Sequence, residues 1–101
     1  MTYRVRFTEE AEEKLDRLYA FLVNQDPVAA AEAMTSISQA VILLERFPFS
    51  CRKTANGRYG PFMRELIVSF GSAGYVLLFK INGDRTVTVA AARHQRENDF
   101  Y

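Results

Sequence analysis

Apolar and polar residues alternate from Tyr3 to Phe7, where Arg4 and Arg6 separate Tyr3, Val5 and Phe7. A period of two predicts a strand with one buried face. The period then lengthens. Ala11, Leu15, Leu18, Tyr19 and Leu22 recur at helical spacing, with Thr8 as a capping residue and Glu9 and Glu10 at the positive end of the helix dipole. This helix is predicted to end near Asn24-Gln25. Asp26-Pro27 is a second start signal, a capping side chain followed by a proline at the first helical position. Ala30, Met34, Ile37, Val41 and Leu44 continue it as an apolar stripe, and Ala29, Ala33 and Ala40 keep its surface small enough for close approach. Pro48 ends it, because the residue before a proline is driven out of helical geometry.

Residues 49–61 carry Arg52, Lys53, Asn56-Gly57-Arg58 and Gly60-Pro61, a polar, turn-forming stretch that reads as irregular. Three apolar-rich runs follow, over residues 63–70, 75–81 and 85–93. Gly71-Ser72-Ala73-Gly74 joins the first two, and Asn82-Gly83, a pair suited to a tight hairpin turn, joins the last two. The predicted order is β-α-α-β-β-β, an α+β fold in a single domain over residues 1–101. An antiparallel helical hairpin is expected on one face of an antiparallel three-stranded sheet, leaving the other face partly open and concave.

A chain of 101 residues buries one modest core, and its apolar share of 49% and charged share of 25% are those of an ordinary globular protein. The longest apolar-rich stretch reads as far short of a membrane span, so none is expected, and the N-terminus lacks the apolar core of a signal peptide, so a cytoplasmic protein is expected. Cys51 is the single cysteine and His94 the single histidine. An internal disulfide is therefore excluded, Cys51 reads as an incidental thiol, and the acidic residues show no metal-ligand spacing; neither metal nor cofactor is expected. Charge is unevenly spread. Residues 1–50 hold five Lys/Arg against eight Asp/Glu, and residues 51–101 hold eight against four. An anionic partner would meet the second half.

Candidate chemistry gathers there. Arg64 opens one predicted strand, Arg93 closes the last, and Arg58 lies in the loop before them. If the two strands are close neighbours, the guanidiniums would share the open face and hold a phosphate bidentately. The alternative is an arginine paired with Glu65 or Glu97. His94, placed just after the last strand, would either exchange protons near neutral pH or cap the strand end by bonding a backbone carbonyl. Tyr59, Phe62, Phe100 and Tyr101 would stack on bases, close a loop over the core, or in the case of the last two fray at the terminus.

The order Tyr3-Arg4-Val5-Arg6-Phe7-Thr8, Phe47-Pro48, Gly57-Arg58, Met63-Arg64-Glu65-Leu66 and Ala92-Arg93-His94-Gln95-Arg96 resembles small bacterial toxins of the RelE/ParE superfamily, and its ending looks like the ParE branch. The resemblance implies the toxin of a type II toxin–antitoxin module, bound by a cognate antitoxin along its helices and sheet, with Leu15, Leu18, Leu22 and Arg64 as expected contacts. ParE-like members are known for poisoning DNA gyrase, which implies target binding through Arg58, Arg64, Arg93, His94 and Arg96. RelE-like members cut messenger RNA on the ribosome, which would require Arg58, Arg64 and Arg93 around the phosphate and His94 as acid or base. A third reading is a non-toxic binding protein of the same fold. Arginine is a poor acid or base at neutral pH, and the neighbourhood of Arg93 stands where RelE-like toxins carry a catalytic tyrosine. The sequence accordingly leans to the branch that does not cut RNA.

Overall fold

The computed structural model describes residues 2–70 and 73–100, with Asn56 as backbone only. Gly71 and Ser72 of the first expected hairpin turn, and Tyr101, lie outside the described residues. The strand β1 (Arg4–Phe7) leads into α1 (Glu9–Gln25) and α2 (Pro27–Arg46). The short β2 (Arg52–Lys53) follows, then β3 (Met63–Phe70), β4 (Ala73–Ile81) and β5 (Thr86–His94).

Both helix starts are built as their side chains dictate. The Ala11 N–H donates to Thr8 Oγ1 at 3.2 Å, and the Ala29 N–H donates to Asp26 Oδ1 at 3.1 Å. α2 stops at Arg46, ahead of Pro48, which opens a 3-10 turn. Its buried positions are Ala30, Ala33, Ala40 and Leu44, whereas Met34, expected in the stripe, is exposed. Ala33 and Ala40 pack with sheet residues, and their small side chains permit that close approach. By length and composition alone α2 would suffice to cross a membrane, which corrects the expectation that no apolar-rich stretch reaches that length. Here it packs on the sheet through those small residues.

One mixed five-stranded sheet has the order β1-β5-β4-β3-β2. β3, β4 and β5 are antiparallel neighbours as expected. Two edge strands extend this core. β1 pairs in parallel with β5, and β2, within the stretch read as irregular, pairs with β3 through Arg52↔Glu65 and Lys53↔Arg64. The second hairpin also differs in detail. Arg85 N–H donates to Asn82 O at 3.2 Å and Asn82 N–H to Thr86 O at 2.7 Å, with Arg85 itself at φ 63°. This is a three-residue loop in which Arg85, rather than Gly83, takes the left-handed conformation.

The helices cover one face. Leu77, Phe79, Val87, Val89, Ala92 and Val68 pack there with Ala11, Ala40 and Leu44. The opposite face carries Val76, Leu78 and Ala91 under Phe100, with Tyr59 and Met63 beside them. The C-terminal tail is thus folded back over part of the face expected to be open.

Candidate functional site

A register shift decides what the ends of β5 present. Leu78 faces Ala91 while Phe79 faces Val89, so Ala90 has no partner on β4 and forms a bulge. Strict alternation from Val87 and Val89 would place Ala91 and Arg93 towards the helices. The extra residue reverses that phase. Ala91 joins the open-face cluster, and Arg93 pairs with Val76 of the same cluster. Thr8 holds the bulge, its N–H donating to Val89 O at 3.0 Å and its hydroxyl to Ala90 O at 2.9 Å.

The open face therefore holds a basin of about 210 Å³ walled by Arg52, Arg58, Arg93, Glu65 and Thr54, with Phe100 at its edge. Its cations are already engaged. Arg58 Nη2 donates to Asp99 Oδ2 at 2.8 Å, and Nη1 donates to Asn98 O at 3.3 Å. Arg93 Nη1 donates to the carbonyls of His94, Gln95 and Glu97, at 3.2, 3.2 and 2.7 Å. The Arg93 guanidinium also lies 5.1 Å over the Phe100 ring. Glu65 bridges two of the arginines, 3.6 Å from Arg52 Nε and 3.8 Å from Arg93 Nη2. Thr54 Oγ1 is buried without a hydrogen-bond partner among the described residues.

Tyr59 completes the anchoring of the tail. Its hydroxyl donates to Asp99 Oδ1 at 2.7 Å, and its ring meets Phe100 edge-on at 5.3 Å. Burial and the adjoining Asp99 carboxylate raise the Tyr59 pKa above its ordinary value. Phe100, expected at a fraying terminus, is 7% exposed.

Arg64 is not part of this basin, and the predicted three-arginine cluster is corrected accordingly. It pairs with Phe79 of the helix-covered core, so Arg64 and Arg93 emerge on opposite faces of the sheet. Alternation accounts for this: Leu66 and Val68 on the same strand pack on the helix side, and Arg64 shares their phase. Its Nη1 donates to Cys51 O at 2.6 Å and to Phe49 O at 3.4 Å, while the guanidinium lies 5.3 Å over the Phe49 ring. Arg64 thereby fastens the segment that follows α2. Cys51 is buried beside it, and burial pushes its thiol pKa up, with Ser50 and Arg64 offsetting part of that rise.

His94 belongs to β5 rather than following it. It pairs with Tyr75, which packs with Leu15, Leu18 and Leu22, and the two rings meet edge-on at 6.3 Å. Its Nδ1 accepts from the Arg96 N–H at 3.1 Å, so the ring takes part in the strand-end turn as an acceptor, in place of the carbonyl bond that was one of its two expected roles. Glu97 closes the turn: Oε1 accepts from the His94 N–H at 2.8 Å and Oε2 from Lys14 Nζ at 3.0 Å. The backbone bond from His94, with Lys14 adding to it, holds the Glu97 pKa below the ordinary value. The side chain of Arg96 is exposed at this turn. Leu15, Leu18 and Leu22, expected as antitoxin contacts, pack inward against Ala33, Phe70 and Tyr75. The exposed apolar residues of the hairpin are Phe21, Val23, Val28, Met34 and Ile42.

Arg52 and Asp99 were missed by sequence reasoning. A two-residue strand has no periodicity to detect, so nothing placed Arg52 opposite Glu65. Asp99 carried a usable signal, a carboxylate next to a large aromatic behind a basic sheet. Among the described residues no group of three or more His, Cys, Asp or Glu is placed to hold a metal ion.

Comparison with known proteins agrees with this architecture. The model of a family described as the ParE toxin of type II toxin-antitoxin system, parDE, matches residues 5–99. Toxin RelE3 of Caulobacter vibrioides is 37% identical over 94 residues, covering 92% of this chain and 95% of its own. Toxin RelE1 of the same organism is 31% identical over 83 residues, covering 82% and 84%. A solved structure described as the chromosomal ParDE TA system from P. aeruginosa superposes with a TM-score of 0.68 at 18% identity, over 91% of this chain and 95% of that one. At that identity the likeness speaks to the fold alone. The family match runs from β1 to the anchored tail, and on that extent the chain belongs to the ParE toxin family of type II toxin–antitoxin systems.

Proposed function

We propose that this toxin arrests growth in the cytoplasm by binding DNA gyrase, without cutting RNA, and that a cognate antitoxin neutralises it. The observation that carries the reading is the state of the groups a nuclease would need. RNA cleavage requires a group to take the proton of the ribose 2′-hydroxyl and another to protonate the leaving oxygen, both beside cations holding the phosphate. Arg58 and Arg93 stand in the basin but are bonded to Asp99 and to tail carbonyls. Arg64 emerges on the other face, and His94 is turned to Tyr75 with Nδ1 occupied by the Arg96 N–H. The Tyr59 hydroxyl, the phenol nearest the cations, is bonded to Asp99 and raised in pKa, which suits an anchor better than a base.

For the antitoxin, the exposed apolar residues of the helical hairpin, Phe21 and Val28 foremost, offer a seat to an amphipathic segment, and Arg64 stands on the helix side of β3. Leu15, Leu18 and Leu22 would support that seat from beneath. Phe21→Asp should weaken antitoxin capture, read as release of growth arrest from neutralisation when both proteins are co-expressed.

The second reading, ribosome-dependent cleavage of messenger RNA, is favoured by the names of the two Caulobacter relatives, both RelE toxins. Expression of the chain without antitoxin separates the two. Under our reading primer extension finds transcripts intact during arrest, and His94→Ala remains toxic. Transcripts cut within codons, with cutting lost in His94→Ala, would replace it with the nuclease reading.

A further inference from the structure

Beyond the tail-covered basin, the open face of the sheet has a second, uncovered region at its β1 edge. Val5 and Phe7 pack towards the helices, so Arg4 and Arg6 stand on the opposite face, both exposed. Arg4 pairs with Thr86 and Arg6 with Thr88 across the parallel β1–β5 ladder, and Lys80 pairs with Thr88 from the other side. Lys80 is exposed. A cavity of about 430 Å³ lies over this corner, lined by Arg4, Val5, Arg6, Asn82, Asp84, Thr86 and Thr88, with Lys80 next to it across Thr88.

The three cations form no ion pair among the described residues, unlike those of the basin. Asp84, at the rim, is flanked by the exposed Arg85, and the corner remains positive. Arg4 and Arg6 are separated by two residue rises, about 6.6 Å along the strand, and Lys80 lies two strands from Arg6, roughly 9.6 Å across. This is a spread of separate positive charges suited to an extended run of negative charge. Val5, half-buried and packed towards the helices, is the one apolar residue in the lining, and none of the large exposed apolar residues joins it, so the cavity lacks the apolar centre of a protein interface. No aromatic ring lines it either, which removes the stacking on which single-strand binding depends. What remains is contact with a backbone whose bases are already stacked.

We propose that the corner formed by Arg4, Arg6 and Lys80 docks the phosphate backbone of double-helical DNA without reading its sequence. Guanidiniums hold phosphate oxygens bidentately and keep their charge at every relevant pH, and the Thr86 hydroxyl adds a neutral donor at the cavity floor. The inference is independent of gyrase as target, because it concerns this chain and DNA alone.

Fluorescence anisotropy of a short labelled duplex, titrated with the purified full chain from low to physiological salt, tests it. Three phosphate contacts give a slope of log affinity against log salt of about −2.7. Arg4→Glu with Arg6→Glu should weaken binding by roughly tenfold or more at low salt and flatten the slope by about 2. Both positions are exposed, and an unchanged circular dichroism spectrum confirms the fold. Asp84→Asn, which removes the one carboxylate at the rim, should tighten binding. Absence of duplex binding at low salt, an unchanged slope in the double variant, or tighter binding of single-stranded DNA or of an acidic peptide would overturn the proposal.

Discussion

Arg93 shows how one side chain sets what a site offers. It was legible in the sequence as a cation at the end of a strand, but its side of the sheet was not, because a single inserted residue at Ala90 reverses the phase of everything after it. Facing the open side, it ties the carbonyls of His94, Gln95 and Glu97 and covers Phe100. A buried phenylalanine is worth about 1.5–3 kcal/mol relative to an exposed one, so the clamp keeps an appreciable gain that a loose tail would forfeit. Arg93→Met should cost about 2–3 kcal/mol in urea unfolding, since charged hydrogen bonds contribute about 1.5–3 kcal/mol. A loss below about 0.5 kcal/mol would show that the tail is held by Tyr59 and Asp99 without it. Glu97 adds a pH dependence. Its folded pKa is lowered from the ordinary 4.5, so its contribution is present above that value and disappears as pH falls through the folded pKa. The urea midpoints of the wild type and Glu97→Gln should therefore differ at neutral pH and converge in acid; a constant gap would refute the linkage.

Among elements, those with a periodic pattern or an apolar run bounded by turn signals were legible, the short β1 included, and β2 was not. α1 and α2 carry several repeats of their period, with capping signals at Thr8 and Asp26 at the helix starts, while β3, β4 and β5 stand out as apolar-rich runs between turn residues. β2 has two residues and no period. The parallel pairing of β1 with β5 joins segments at opposite ends of the sequence, and no local pattern specifies such a partner. Thr8 links the two scales: it caps α1 while its hydroxyl grips the bulge carbonyl of Ala90, so helix start and strand phase are fixed by one residue. Thr8→Ala should cost about 1–2 kcal/mol, near the upper end for a cap because the bulge contact is lost as well. Thr8→Ser, which keeps the hydroxyl, should recover most of the loss in thermal or urea unfolding. Equal destabilisation by both variants would assign the effect to the methyl group and contradict the dual role.

For the whole molecule, the division into an acidic helical half and a basic sheet half is real, but charge count alone concealed how the cations are spent. On the basin side Arg52, Arg58 and Arg93 meet Glu65 and Asp99, and Arg64 is used on the far side of the sheet. Of the candidate site, Arg58 and Arg93 were legible in the sequence, whereas Arg52, Asp99 and the exclusion of Arg64 were not, because strand phase and tail docking decide which groups meet. The family likeness was legible in the order of short motifs distributed from Tyr3 to Arg96, which no single element supplies. Because the basin arginines Arg58 and Arg93 are tied to the tail and Arg52 to Glu65, we propose binding rather than RNA cleavage as the activity of this ParE toxin. A supercoiling assay with purified DNA gyrase tests that account most directly. Adding the chain should suppress supercoiling of relaxed plasmid, and adding its antitoxin should restore it; undiminished supercoiling at saturating toxin would contradict it.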